Sequence, residues 1–271
     1  MLAALLKVNA PCWSCAWDAV DPNLCYIGTT CSRVLAFDLR RADAPVHTWD
    51  GPRDCAMGLD AVAGSSRKQV ALGYSPIHGI VALPGSKHGG RLLVANSNGL
   101  FALPSRLEQE PHCSGSWTPV ASTSGSSSRS CYSLSYDAQV DCVAASFRSQ
   151  DPVTRMAATE HELYDVDLDS GNWQRRRPCI SVVSPQTKMA HTAVFSYETG
   201  SHRQGLFAAG VEATRMVKLW DANGDGDGEM LALSDAAAFE DIVDVSGWQW
   251  GHDHAMFASL SNTTARLYDI R

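Results

Sequence analysis

A strand-like run that ends on an aromatic residue, usually followed by aspartate, recurs along this chain of 271 residues. It occurs at Val34–Asp38, Gly99–Leu103, Glu162–Asp165, Met216–Asp221 and Ala265–Asp269. Four of the five runs contain the aromatic–Asp pair, which is the WD dipeptide of propeller blades in strict or relaxed form. We therefore expect the following structural blade-end residues: Phe37, Asp38, Phe101, Tyr164, Asp165, Trp220, Asp221, Tyr268 and Asp269.

The residues upstream of these runs also recur as strand, polar turn and strand. The second strand of a unit is small and apolar, as in Tyr26–Thr29 and Leu206–Gly210. A four-stranded blade cannot bury its own apolar faces and gains stability only from neighbouring blades. We expect the Ala- and Gly-rich second strands to let blades approach closely and the terminal aromatic to fill the wedge between them.

This pattern predicts an all-β fold, a WD40-type β-propeller with about five blades that form part of a seven-bladed ring. A closed five-bladed ring is the alternative. The blades are expected at about 11–50, 51–110, 131–175, 190–235 and 240–271, after a lead-in at 1–10 and with a flexible Ser/Gly-rich loop at 114–130. A truncated ring has unpaired strand edges, so we expect the isolated chain to be poorly soluble or oligomeric.

Composition narrows the class of partner. The net charge is −7, and the basic run Arg175–Arg177 is short, so direct nucleic-acid binding is not expected. The nine cysteines are odd in number and irregular in spacing, which favours reduced thiols in an intracellular protein. No segment has the roughly 18 consecutive apolar residues of a membrane helix.

The sequence offers only weak candidates for a metal-binding or catalytic motif. Cys12 and Cys15 have metal-ligand spacing, but residues three apart on a strand face opposite sides, and no second pair accompanies them. Buried structural cysteines are the favoured interpretation. Asp221–Gly226 begins like an EF-hand loop but has Ala232 where the bidentate glutamate belongs. We therefore predict no catalytic, cofactor-binding or metal residues in this chain.

The opening residues resemble a narrower family. Pro11–Trp17, then Tyr26–Gly28 and Arg33–Arg40, are similar to the C-terminal WD region of the RING-finger and WD-repeat E3 ubiquitin ligases of DNA interstrand-crosslink repair. Ser128–Cys131 and Leu163–Asn172 are similar to that family's middle blade, and Ala193–Ala222 is similar to its penultimate blade. Ala258–Leu260 and Leu267–Tyr268 fit its last strands.

The resemblance implies a nuclear protein, with the cytoplasm as the alternative. It implies a propeller that recognises substrate, chiefly the replication protein A complex, while a RING in the full-length protein recruits the E2 and binds zinc. The zinc-binding pattern of a RING does not occur in these residues, so the ligase chemistry cannot reside in them. Whether the full protein is an enzyme is left open, and a stand-alone WD scaffold or adaptor without ligase activity is the alternative function. A propeller enzyme or metalloprotein is a third, weaker hypothesis, because no set of ligands is apparent.

Partner-binding residues are expected among exposed aromatic and arginine side chains around the central channel. The candidates are Trp13, Arg53, Trp248 and Trp250. For Trp13 and Trp248, packing between blades is the favoured alternative.

Overall fold

The structure is a computed structural model. It describes residues 5–51, 75–86, 89–104, 117–120, 129–150, 157–167, 172–176, 180–182, 190–199, 202–223, 229–233, 241–249 and 254–270.

Five antiparallel sheets follow one another along the chain, and each is a meander. The first sheet contains β1 (Cys12–Trp17), β2 (Leu24–Thr29), β3 (Arg33–Asp38) and β4 (His47–Asp50), with a short 3-10 helix at Leu39–Arg41. The second contains β5 (Ile77–Ser86), β6 (Gly89–Asn96), β7 (Gly99–Pro104) and β8 (Thr118–Pro119).

The third sheet contains β9 (Ser130–Asp137), β10 (Cys142–Gln150), β11 (Ala157–Asp167), β12 (Asn172–Arg175) and β13 (Ile180–Val182), the last two both paired with β11. The fourth contains β14 (Ala193–Thr199), β15 (His202–Val211), β16 (Met216–Asp221) and β17 (Glu229–Leu233). The fifth contains β18 (Ile242–Gln249), β19 (Ala255–Ser261) and β20 (Ala265–Ile270).

Consecutive sheets contact each other through their first strands. Strand β1 packs against β5, β5 against β9, β9 against β14, and β14 against β18. The same meander is therefore placed five times with its first strand innermost, which is the arrangement of blades in a β-propeller. The predicted all-β propeller fold is confirmed. Within the described residues, no helix is both long enough and apolar enough to span a bilayer.

Small residues on the second strands allow the close approach of neighbouring sheets. A Cβ on Gly28 of β2 would lie 2.6 Å from Ile77 Cγ2, and a Cβ on Gly210 of β15 would lie 2.6 Å from Ile242 Cβ. Ile77 and Ile242 are the first residues of the innermost strands of the next sheets. The two glycines therefore have equivalent roles, and the expected close approach is present at both interfaces.

Apolar side chains fill the interfaces between sheets. Tyr26 and Trp49 of the first sheet pack with Ile80 of the second, and Phe195 of the fourth packs with Phe257 of the fifth. The outer face of the first sheet is covered differently, because Leu6 and Val8 of the lead-in pack against Phe37, Cys25, Ile27 and Leu35.

The blade-end residues lie on the third strand of each sheet: Phe37 and Asp38 on β3, Phe101 on β7, Tyr164 and Asp165 on β11, Trp220 and Asp221 on β16, and Tyr268 and Asp269 on β20. Trp220 is buried between the third and fourth sheets, and Tyr268 stacks on Phe257 at 4.4 Å. Two of the aspartates stabilise the turns that follow them. Asp38 accepts a hydrogen bond from Arg40 N at 2.9 Å, and Asp221 accepts one from Asn223 N at 2.8 Å.

The second sheet extends further than the sequence pattern indicates. Its last strand, β8, lies inside the predicted loop 114–130, where Thr118 and Pro119 pair with Ala102 and Phe101. A proline is tolerated there because an outermost strand does not need its backbone N–H for a further partner. Residues 114–116 and 121–128 of the predicted loop lie outside the described residues.

Candidate partner-binding site at the channel mouth

A cavity of about 530 Å³ opens where the innermost strands of the first three sheets begin. We call this cavity the channel mouth, because it is bordered by the innermost strands of three consecutive sheets. The lining comes from β1, β2, β5 and β9, with one residue that precedes β14: Cys12, Trp13, Ser14, Cys15, Ile27, His78, Gly79, Ile80, Ser133, Leu134 and His191. Concave sites that combine aromatic and polar groups are the usual places for ligand and peptide binding.

A bulge in β1 sets the position of Trp13. The register between β1 and β2 shifts between Cys12 and Ser14, so Trp13 is the extra residue. The Ser14 hydroxyl donates to the Ile77 carbonyl at 2.8 Å and ties β1 to the second sheet. The side chain of Trp13 is consequently aimed at the mouth and is 55% exposed. Trp13 is thus exposed and also contacts His78 of the second sheet, so partner binding and packing between blades both stay open for this residue.

His78 lies beneath the Trp13 ring. The two rings meet edge to face, with centroids 5.8 Å apart and an interplanar angle of 77°. His78 is only 7% exposed, and its Nδ1 has no hydrogen-bond partner. Burial lowers the pKa of His78, and the Arg148 guanidinium lowers it further, so the imidazole is neutral at pH 7.

Cys12 and Cys15 are both exposed and both line the cavity, so the interpretation of buried structural cysteines is wrong. The physical reason is that β1 is the innermost strand of the first sheet and borders the mouth, and its bulge disturbs the alternation between faces. Among the described residues, no group of three or more His, Cys, Asp or Glu side chains is arranged to hold a metal ion.

Beneath the mouth, hydroxyl groups link the third and fourth sheets. Thr192 Oγ1 lies 3.1 Å from Ser133 Oγ and 3.0 Å from Ser146 Oγ, and Ser146 Oγ lies 2.9 Å from His161 Nδ1. His161 is buried against Phe207 and Trp220, and burial lowers its pKa to about 3. The network depends on a neutral imidazole, and it fixes the relative position of the two sheets below the mouth.

The third sheet contributes a second, unpredicted group of polar side chains near His78. Arg148 of β10 lies with its Cζ 5.4 Å from the centroid of the Tyr132 ring, and it is directly across from Thr159 of β11. Its Nε and Nη2 atoms are buried without hydrogen-bond partners, as are the Tyr132 hydroxyl and Thr159 Oγ1. Tyr132 lies close enough to Ser146 and Thr159 for them to affect its pKa, yet forms no well-aligned hydrogen bond with either.

Arg129, which directly precedes β9, has carboxylate partners for both of its Nη atoms, although its buried Nε has none among the described residues. It contacts Glu160, bonds Glu162 Oε1 at 3.0 Å and lies 4.4 Å over the Phe147 ring. Arg175 of β12 also contacts Glu162, at 3.4 Å, so Arg148 differs from both of these arginines in having no carboxylate partner in the described part of the chain.

Trp248, the other predicted partner-binding residue within the described part of the chain, does not line the cavity. Trp248 lies on β18, is 36% exposed and pairs with Met256 across the fifth sheet. Arg53 and Trp250 lie outside the described residues. Of the four candidates, Trp13 alone is placed by the described residues at the mouth, and its role in binding stays a prediction.

No protein-family model matches this chain, and no curated protein matches it. A solved structure with a similar fold is the β-propeller domain of Myceliophteria thermophila Cps50 (Swd1), at 12% sequence identity and a TM-score of 0.44, covering 96% of this chain and 83% of that one. The assignment of blades depends on the sheet topology described above and not on this similarity.

Proposed function

We propose that this chain is a protein-recognition propeller whose partner binds at the channel mouth. The observation that carries the proposal is the exposed Trp13 ring, which a bulge in β1 places at the edge of a cavity formed by three sheets. Large aromatic side chains at the centre of a concave surface are the usual energetic anchors of protein interfaces.

The residue resemblance of Pro11–Trp17 and Arg33–Arg40 supports a narrower proposal. In it, this propeller is the substrate-recognition part of a RING-type E3 ubiquitin ligase in nuclear DNA repair, and the partner is the replication protein A complex. The RING and its zinc would belong to the full-length protein. A scaffold or adaptor role without ligase activity would use the same surface.

The test compares two exposed tryptophans on the same strand. Trp13→Ala removes the ring at the mouth, while Trp17→Ala removes a ring that is 60% exposed and does not line the cavity. Loss of an interface anchor costs at least about 2 kcal/mol, which is roughly a thirtyfold loss of affinity. We expect this loss for Trp13→Ala and little change for Trp17→Ala when binding to purified replication protein A complex is measured by biolayer interferometry.

Equal affinities of the two variants would contradict binding at the mouth. Absence of binding by the wild-type chain would contradict replication protein A as the partner. The ligase proposal has its own test, because it requires a zinc-binding RING in the full coding sequence and ubiquitin discharge from an E2 by the full-length protein.

A further inference from the structure

Arg148, beneath the mouth, lies over the face of the Tyr132 ring but lacks an acidic partner within the described residues. Arg148 is partly buried, and its Nε and Nη2 atoms are shielded from water without a hydrogen-bond acceptor. Buried charged groups in folded proteins are normally paired, because desolvation without compensation is unfavourable. Arg129 next to β9 has two carboxylate partners, Glu160 and Glu162, whereas Arg148 has none in the part of the chain that the structure describes.

The donors that have no partner converge on one place. Arg148 lies beside the Tyr132 ring and opposite Thr159, and its charge acts on His78, which lines the cavity. Tyr132 and Thr159 are each 1% exposed, and each has an unpaired hydroxyl. Four neighbouring side chains from β5, β9, β10 and β11 thus have hydrogen-bonding atoms without a partner among the described residues, and of these four His78 lines the cavity.

From this convergence we propose that the channel mouth binds a carboxylate side chain, glutamate or aspartate, of the partner protein, with Arg148 as its counter-ion. Nε and Nη2 form one edge of the guanidinium, and this edge matches the two oxygens of a carboxylate in a bidentate pair. The Tyr132 and Thr159 hydroxyls can donate to the remaining lone pairs. The inference depends on the proposed function only in that the carboxylate is supplied by a protein partner.

The charge around the site favours a carboxylate over a phosphate. Arg148 is the one cationic side chain in this group, whereas a dianionic phosphate group is usually held by several positive groups. His78 is neutral at pH 7, and Asp244 lies near the cavity, with its Oδ1 3.4 Å from Nδ1 of the lining residue His191. A single negative charge is therefore the better match.

Entry of the carboxylate requires neighbouring side chains to shift, because the donor atoms are shielded in the free chain. Trp13 is placed to do this, since its ring is half exposed and covers His78 edge-on. A shift of Trp13 on binding would also change its fluorescence.

The experiment titrates the folded chain with the peptide Ac-Gly-Glu-Gly-NH2 and follows binding by NMR. The peptide Ac-Gly-Gln-Gly-NH2 is the neutral control, and the phosphoserine peptide of the same length tests the other anion. We expect saturable binding of the glutamate peptide. The glutamine peptide should bind at least about tenfold more weakly, since charge-assisted hydrogen bonds contribute about twice as much binding free energy as neutral ones.

Two variants test the role of Arg148. Arg148→Met should weaken glutamate-peptide binding by about tenfold to a hundredfold. Arg148→Lys should lose part of the affinity, because lysine keeps the positive charge but cannot form the bidentate pair. Arg203→Met is the control of equal charge change, since Arg203 pairs with Glu198 at the opposite end of the channel. This variant should bind the peptide as the wild type does.

Stability separates a binding role from a structural one. If Arg148 is unpaired in the free chain, Arg148→Met leaves its thermal midpoint unchanged or raises it. Each of four results would overturn the proposal. These are a clear loss of stability in both Arg148 variants, an unchanged affinity of Arg148→Met for the glutamate peptide, no saturable binding of that peptide to the wild type, and tighter binding of the phosphoserine peptide. If the glutamate peptide binds in an Arg148-dependent way but replication protein A does not bind, the carboxylate site is supported and replication protein A alone is rejected as the partner.

Discussion

Substitution of Gly210 by alanine tests the packing of one sheet on the next. Gly210 lies on β15 of the fourth sheet, where an added Cβ would be 2.6 Å from Ile242 Cβ and 2.8 Å from Ile242 Cγ2. Ile242 is buried and begins β18, so its Cβ cannot move without its backbone. The added methyl must therefore displace the innermost strand of the fifth sheet.

The magnitude follows from two opposing effects. Overpacking of a well-packed core costs about 1–3 kcal/mol. Replacing glycine by alanine returns about 0.4–1 kcal/mol, because the unfolded chain loses conformational freedom. The middle of these ranges gives a net destabilisation of about 1.3 kcal/mol, which at about 2–4 °C per kcal/mol lowers the thermal midpoint by roughly 3–5 °C.

The assay is thermal unfolding followed by circular dichroism, with Gly79→Ala as the matched control. A Cβ on Gly79 would meet its nearest atom, Leu134 Cβ, at 3.3 Å and the next at 3.7 Å, so a small adjustment accommodates it. We expect Gly79→Ala to change the midpoint by less than half as much. Equal midpoints for Gly210→Ala and the wild type would refute the proposed close approach of the fourth and fifth sheets.

Two further predictions concern acid sensitivity and solubility. His161 has a folded pKa of about 3, below its unfolded value of about 6.5, so its contribution to stability is complete above pH 6.5 and is lost as the pH falls toward 3. In His161→Gln, the urea midpoint should therefore fall less steeply with decreasing pH over that range. The same pH dependence in the variant and the wild type would contradict the burial of a neutral imidazole. The exposed apolar side chains Trp248, Leu260 and Leu267 of the fifth sheet should promote self-association; Leu267→Lys should lower the mass measured by light scattering, whereas a wild-type chain that is already a monodisperse monomer would contradict this prediction.

The sequence repeat predicted the fold because every blade has to meet the same packing requirements at the same positions. The aromatic residue that ends each third strand must fill an interface, as Trp220 does between the third and fourth sheets. The small residues of the second strands must admit the next sheet, as Gly28 and Gly210 do. Such requirements are visible in one sequence because they recur at similar positions.

The mouth of the channel was not predictable in the same way. Alternation along Cys12–Trp17 indicates a strand but does not show which strand is innermost or that a bulge exposes both thiols and the Trp13 ring. Arg148 lies near the end of β10, after the continuously buried run Cys142–Phe147, and has no motif around it. Its relation to His78, Tyr132 and Thr159 depends on four strands from two sheets, and their proximity appears only once the sheets are packed.

Hydrogen–deuterium exchange of the chain with and without purified replication protein A complex tests the central proposal most directly. If the partner binds at the channel mouth, protection should concentrate at the beginnings of the three innermost strands, at residues 12–15, 78–80 and 133–134, which line the cavity. Protection confined to the outer strands β4 and β12, or unchanged exchange throughout the chain, would contradict it.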